Sequence, residues 1–196
     1  MKHSLRIIGG KWRGHRLKVP SSKAIRPTPD AVRETLFNWL GSSVVGARVV
    51  DLFAGTGSLG FEALSRGAAH ATFVERNRHS VSLLRKACHK FDLDATEASV
   101  ISANSIGWLK SNTNKWDIVF VDPPFERTEI YRKVLTDLLS RLSTESIVYL
   151  EFSKRSAIDR LDYKMWKSSV TGEVQFELLR PPNTLCGPAN IVSDKS

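Results

Sequence analysis

Val49-Val50-Asp51-Leu52-Phe53-Ala54-Gly55-Thr56-Gly57-Ser58-Leu59-Gly60 runs from an apolar strand through a glycine-rich turn into a helix. Gly55, Gly57 and Gly60 satisfy G-x-G-x-x-G, and Glu75 follows Gly55 by 20 residues, at the end of the next predicted strand. Taken alone, this is a dinucleotide fingerprint: glycines let backbone approach a ligand, and the distal acid binds two ribose hydroxyls. Asp51 changes the ligand. A carboxylate at the strand end repels a pyrophosphate but suits a cation carrying an ammonium and a sulfonium. S-adenosylmethionine has an adenosine, a sulfonium and an amino acid, and fits the loop with Asp51 and Glu75. Asn104, after the third predicted strand of this series, is placed for the adenine edge. Two alternatives stand beside this reading: Asp51 as a plain turn residue, and an NAD-dependent oxidoreductase, although nothing else in the chain offers a hydride-transfer site.

Outward from that loop, strands alternate with helices. Strands are predicted near 48–53, 70–75, 99–102, 116–122 and 146–152, and helices near 58–66, 78–91, 105–111 and 129–142. Gly67 is a helix stop, and apolar stripes at 81/84/88/91 and 130/134/135/138/139/142 mark two helical faces. Repeated β–α units imply a mostly parallel sheet with helices on both faces. Tyr163–Val170 and Val174–Arg180 flank Thr171-Gly172-Glu173 and predict an antiparallel pair at the sheet edge, for seven strands in all. Upstream, 26–40 predicts a helix with Thr28 as N-cap, Pro29 at the first helical position and Val32, Leu36, Trp39 and Leu40 as its stripe. Arg26, Thr28 and Arg33 cluster at its opening turns, where they can line a pocket.

Asp122-Pro123-Pro124-Phe125 follows the apolar run 118–121, so it sits at the carboxyl end of a buried strand, where open α/β sheets bind ligands. Two prolines fix φ, remove two N–H groups and push Asp122 and Pro123 to extended geometry. The result is a stiff platform of one carboxylate, one carbonyl and one ring. It matches a planar base with an exocyclic amine: Asp122 and the Pro123 carbonyl accept its two N–H groups while Phe125 stacks. The plainer alternative is a helix start with Asp122 as N-cap.

The net charge is +9, and residues 1–29 alone hold eight Lys and Arg and no acid, which leaves +1 for the other 167. A near-neutral body with one basic arm points to a polyanion partner. Within 5–19, short apolar-alternating runs flank Gly9, Gly10 and Gly14, predicting a hairpin whose edge carries Lys11, Trp12, Arg13, Arg16 and Lys18. The cations would track phosphates and Trp12 would stack on an unpaired base; a disordered tail, or Trp12 tucked into the core, is the alternative. Cys88 and Cys186 lie far apart and fit no metal or disulfide pattern, so a reducing cytoplasm is expected, with no metal. No signal peptide and no membrane-span length is found, and no repeat suggests a dimer seam, so a monomer is expected.

VVDLFAGTGSLGFEALSRGA (49–68), FVERN (73–77), VFVDPPF (119–125), RPTPDAVRETLFNWL (26–40) and RIIGGKWRGHRLKVP (6–20) together closely resemble the RsmD family, over nearly the whole chain to about residue 180. Members of that family are bacterial enzymes that use S-adenosylmethionine to methylate the N2 amine of guanine 966 in 16S rRNA. The resemblance implies an α/β, Rossmann-like class I methyltransferase fold: a basic hairpin for RNA over 1–25, a methyltransferase domain over 26–180 and a tail over 181–196. It implies a cofactor set of Asp51, Phe53, Gly55, Gly57, Glu75, Arg76, Asn104 and Thr28. Base recognition and catalysis fall to Asp122, Pro123, Pro124 and Phe125, and RNA contact to the hairpin. Two positions depart from the pattern: Pro29 stands where Thr or Ser is expected, and Asn104 where the wider superfamily often has Asp. The neighbouring readings are an amino-methyltransferase acting on adenine or cytosine, and a non-catalytic RNA-binding assembly factor.

Overall fold

The structure, a computed structural model, describes residues 4–18, 28–124 and 127–183. Two short strands, β1 (Ser4–Arg6) and β2 (Arg16–Lys18), pair antiparallel around a single 3-10 turn at Gly10–Trp12, so the basic arm is the predicted hairpin. The body alternates as expected: α1 (Asp30–Leu40), β3 (Arg48–Asp51), α2 (Ser58–Ser65), β4 (His70–Glu75), α3 (Arg78–Lys90), β5 (Ala98–Ser102), α4 (Ser105–Ser111), β6 (Ile118–Val121), α5 (Glu129–Leu138), β7 (Ile147–Ser153), β8 (Lys164–Thr171) and β9 (Val174–Arg180).

The seven body strands form one sheet in the order β5-β4-β3-β6-β7-β9-β8. The first five are parallel, and β9 inserts antiparallel between β7 and β8. This is the class I methyltransferase arrangement. Successive strand residues face opposite layers, so the continuous apolar runs divide between two cores. Val49, Phe73, Phe120 and Tyr149 pack with Val32, Leu36, Phe61 and Leu84 from α1, α2 and α3. Val50, Val119, Val121 and Leu150 pack with Leu109, Ile130 and Val134 from α4 and α5. No helix among the described residues is long and apolar enough to cross a membrane.

The hairpin is part of the first core, to which it contributes Leu5, Ile7 and Leu17. It is fastened by polar contacts to α2. Glu62, fully buried, accepts from Ile8 N–H (2.9 Å) and Gly9 N–H (2.8 Å). The same carboxylate accepts from Arg66 Nε (2.9 Å) and faces Arg33 Nη1 of α1 at 3.4 Å. Ser65 Oγ accepts from Trp12 N–H (2.9 Å) and donates to the Gly9 carbonyl (2.5 Å). Gly10 makes this seat possible: its φ is +75°, and a Cβ there would lie 1.8 Å from the Ser65 carbonyl oxygen.

Arg33 is therefore a structural cation rather than a pocket residue. It is fully buried, and besides Glu62 it donates to the Arg6 carbonyl (2.9 Å), to Asp30 Oδ1 (2.6 Å) and to the Thr28 carbonyl (3.3 Å). The helix start also differs from expectation. Pro29, with ψ at 148°, is the N-cap and no side chain caps the helix. Thr28 fails as a cap because its hydroxyl is engaged with the carboxylates of Asp122 and Glu151.

Replacing Glu62 with Ala leaves the buried Arg33 without its buried counter-charge and two arm N–H groups without an acceptor. Such losses cost about 3–5 kcal/mol, or roughly 6–20 °C in Tm for a chain of this size. Thermal unfolding of Glu62→Ala should show that drop, together with early proteolysis in the hairpin; a wild-type Tm would remove Glu62 from its role as anchor.

Candidate active site

The ends of four adjacent strands each present a carboxylate. In the order β4-β3-β6-β7 these are Glu75, Asp51, Asp122 and Glu151. The register brings them side by side: Asp51 pairs with Phe73 and Phe120, and Val121 pairs with Leu150. The chain leaving β3 crosses through α2 to β4, whereas the chain leaving β6 crosses through α5 to β7, in the opposite direction. The strand order reverses between β3 and β6, the kind of switch point at whose carboxyl ends open α/β sheets bind ligands.

The glycine loop borders the crevice on the β3 side. Gly57 is the N-cap of α2 with φ at +76°, and a Cβ on it would lie 2.6 Å from Leu84 and Phe61 side-chain atoms. Gly60 packs against the Phe73 ring, where a Cβ would come within 2.3 Å; α2 thus lies tight on β4. Glu75 turns back onto the loop, accepting from Gly55 N–H (2.9 Å) and Asn77 N–H (2.7 Å). Each oxygen keeps a second lone pair for a ribose hydroxyl.

The carboxylates are electrostatically exposed to one another. Asp51 is buried, and burial pushes its carboxyl up to about 7, with a smaller push from Glu75; the N–H groups of Gly60 and Phe53 oppose it. Gly60 N–H reaches Asp51 Oδ2 at 3.3 Å. Asp122 is raised well above the ordinary carboxylate value by burial, then by the charges of Glu151 and Asp51, against the Thr28 hydroxyl. Glu151 is raised by burial and held by the hydroxyls of Tyr149 and Thr28. Tyr149 donates to Glu151 Oε2 at 2.7 Å, and Tyr131 donates to the Glu151 carbonyl at 2.6 Å. Among the described residues no Lys or Arg makes an ion pair with Asp51, Asp122 or Glu151.

Those uncompensated acids are the test of cofactor fit. Adjoining buried carboxylates with no cation disfavour a polyanionic ligand and favour a cationic one. The residues suit the ammonium and sulfonium of S-adenosylmethionine, with the glycine loop and Glu75 for the nucleoside.

Residues 122–124 are not helical, and α5 begins only at Glu129, so Asp122 is not the N-cap of that helix. Asp122 is half-buried, Pro123 buried and Pro124 exposed. The Pro124 carbonyl accepts from Arg127 N–H at 3.1 Å, while no described residue donates to the Pro123 carbonyl. Phe125 lies outside the described residues. Asn104 is the N-cap of α4, its Oδ1 accepting from Gly107 N–H at 3.1 Å, so it joins the site only with what its amide has left. Phe53 is half-buried beside Asp51, and Arg76 is exposed just past Glu75.

Of the hairpin set, Lys11, Arg13, Arg16 and Lys18 are exposed. Trp12 is not free to stack on a base. Its ring stacks on Phe91 with centroids 4.2 Å apart, and the Lys11 ammonium stands 4.5 Å from the ring centre. Both rings are half-buried against the first core, so Trp12 takes the tucked alternative. Glu151, Tyr149, Tyr131 and Glu62 were not foreseen as functional or anchoring residues. The signal for the two acids is a lone carboxylate inside an apolar run, YLEF and FEAL.

The family model described as Conserved hypothetical protein 95 matches residues 5–180. Ribosomal RNA small subunit methyltransferase D of Escherichia coli is 40% identical over 177 residues, covering 89% of this chain and 88% of that protein. The protein of the same name from Haemophilus influenzae is 37% identical over 182 residues, covering 90% and 94%. Among solved structures, a putative methyltransferase from Escherichia coli superposes with a TM-score of 0.80 at 38% identity, covering 91% of this chain and 99% of that one. A putative methyltransferase complexed with SAH, 19% identical with a TM-score of 0.59, shares the fold.

Asp51 sets two measurable behaviours. A carboxyl raised to about 7 in the folded state and near 3.8 when unfolded loses stability as the pH rises from about 3.8 through 7. Without cofactor, Asp51→Asn should therefore melt several degrees above wild type at pH 8 and with it at pH 4. A bound cation favours the ionised form, so wild-type affinity for S-adenosylmethionine should rise with pH up to about 7, with proton release in calorimetry. Asp51→Asn should bind roughly 10- to 100-fold more weakly and release fewer protons than wild type. Equal proton release by both proteins would remove Asp51 from the cofactor site.

Proposed function

The chain belongs to the RsmD family of S-adenosylmethionine-dependent methyltransferases, and from that premise we propose that it methylates the exocyclic N2 amine of guanine 966 in the 16S rRNA of the small ribosomal subunit. The observation that carries the chemistry is the pairing of an uncompensated Asp122 carboxylate with a Pro123 carbonyl that no described residue occupies. A guanine amine needs two acceptors side by side, and this loop supplies them on a stiff backbone.

S-adenosylmethionine, when bound, supplies an electrophilic methyl. Asp51 balances its cationic charge, the Gly55–Gly57 turn admits it closely, and Glu75 holds ribose hydroxyls. Flipping a base out of its stack costs a few kcal/mol, which contacts to the amine and to the RNA backbone must offset. Asp122 and the Pro123 carbonyl accept the amine's N–H groups and turn the nitrogen lone pair out of conjugation with the ring. Positive charge then grows on that nitrogen, and Asp122 stabilises it and takes the departing proton. Glu151 acts through Asp122: its like charge keeps Asp122 basic enough to accept that proton. The basic hairpin tracks phosphates. On this reading the protein acts as a monomer on ribosomal RNA in the cytoplasm.

Labelled S-adenosylmethionine, offered with unmodified small subunits, free 16S rRNA and duplex DNA, should leave label in N2-methylguanosine at one site. Label in methyladenosine or methylcytosine would overturn the target, and no label with cofactor binding intact would overturn the enzyme in favour of an assembly factor. Asp122→Asn should cut transfer at least about 100-fold while leaving cofactor affinity within a few-fold. Glu151→Gln retains an acceptor for Tyr149 but removes the charge, so Asp122 ionises more readily and the acid limb of the rate profile should move to lower pH. An unmoved limb would make Glu151 a packing residue.

A further inference from the structure

The hairpin is not the whole of the basic surface. Residues 76–91 hold Arg76, Arg78, Arg85, Lys86 and Lys90 and no acid. With the eight cations of residues 1–29 this makes +13 against a whole-chain +9, so the remaining residues are net −4. The cations of α3 are not scattered round the helix. Arg78, Ser82, Arg85, Lys86 and His89 recur at the i, i+4, i+7, i+8 and i+11 spacing of one helical face, and all five are exposed. That face lines an open groove of about 740 Å³ that reaches Ser102 at the end of β5. None of Arg78, Arg85 and Lys86 makes an ion pair with a described residue. A solvated helix face ordinarily mixes signs at these spacings, which lowers self-repulsion; this one does not.

Its position is as informative as its charge. The first turn of α3 follows Glu75 and caps on Asn77 at the ligand edge of the sheet. Its last turn is fastened to the hairpin, through Lys90 Nζ to the Arg16 carbonyl (2.9 Å) and through the Trp12–Phe91 stack. From Arg78 to Lys90 the helix spans about 18 Å. The stripe therefore bridges the basic hairpin and the cofactor crevice without interruption.

We propose that the exposed face of α3 is a second RNA-docking surface, a phosphate track that carries the RNA backbone from the hairpin to the crevice. It rests on the reading of the chain as an RNA methyltransferase. Trp12 and Phe91 are stacked on each other, and the groove is lined by the long stems of Arg78, Arg85, Lys86 and Lys90 with Ser82, Ser102 and His89 around a single Val81. Such a surface grips sugar-phosphate backbone and carries no base readout. Choice of base stays with the loop at Asp122, and α3 sets the strand's path and polarity relative to it.

The test is a triple variant, Arg78→Gln, Arg85→Gln and Lys86→Gln, with binding to protein-free unmodified 16S rRNA and to unmodified small subunits measured across a salt series. Each phosphate contact removed lowers the slope of log affinity against log salt by about 0.7–0.9. The variant should lose roughly 10-fold or more in affinity for both substrates at low salt, with the slope reduced by about 2–3. Cofactor affinity and Tm should match wild type, and turnover at saturating RNA should stay within about two-fold while KM rises. Unchanged affinity and slope would overturn the proposal and return α3 to solvent. Loss on small subunits alone, with free rRNA bound normally, would give the face to a ribosomal protein and overturn it equally. A wild-type chain that binds RNA but transfers no methyl would sink the enzymatic reading instead, and the comparison of salt slopes would still decide whether α3 touches RNA.

Discussion

A single buried carboxylate, Glu62, ties together three pieces of chain that are remote in sequence. It accepts from the arm at Ile8 and Gly9, faces Arg33 of α1 and braces Arg66 at the end of its own helix. A buried charge is tolerated only when its hydrogen-bonding capacity is filled, and here four donors fill it. The consequences reach the crevice. Arg33 also donates to the Thr28 carbonyl, and the Thr28 hydroxyl meets Asp122 and Glu151. The basic hairpin and the Asp122 loop are thus joined by a chain of polar contacts running beneath the surface.

The crevice itself is built the opposite way. Glu62 is satisfied within the protein; Asp51 and Asp122 are left short of positive charge. That shortage destabilises the ligand-free fold above neutral pH and is relieved by a cationic cofactor. The same local repulsion that weakens the fold also raises the proton affinity of Asp122. Stability and chemistry pull against each other at these residues, as they do in preorganised sites generally.

Much of this was legible in the residues. The G-x-G-x-x-G turn, the strand–helix alternation and the antiparallel closing pair each rest on local periodicity, and each has the predicted form. Asp51 and Asp122 were legible because strand ends are where such sheets bind ligands. What escaped was contact between distant segments. Thr28 looks like a cap until the carboxylates it serves are placed beside it. Trp12 looks free until Phe91, some 80 residues on, comes to rest on its face. Arg33 looks like a pocket residue until Glu62 is found under it. Glu151 hides in a buried strand, and only the β6–β7 register sets it next to Asp122.

The strand order also imposes a sequence of events on synthesis. β9 lies between β7 and β8 and buries Phe176, Leu178 and Leu179, yet among the described strands it is the last to be synthesised. Until residues 174–180 emerge, β7 remains an open edge presenting Tyr149 and Leu150 to whatever strand comes near, a template for mispairing. The finished sheet guards its outer edge differently, with Lys164, Lys167 and a bulge between Met165 and Lys167 on β8. A chain in which residues 174–180 have not yet paired is therefore the form most open to mispairing, because β7, which carries Glu151, still lacks its partner on one side.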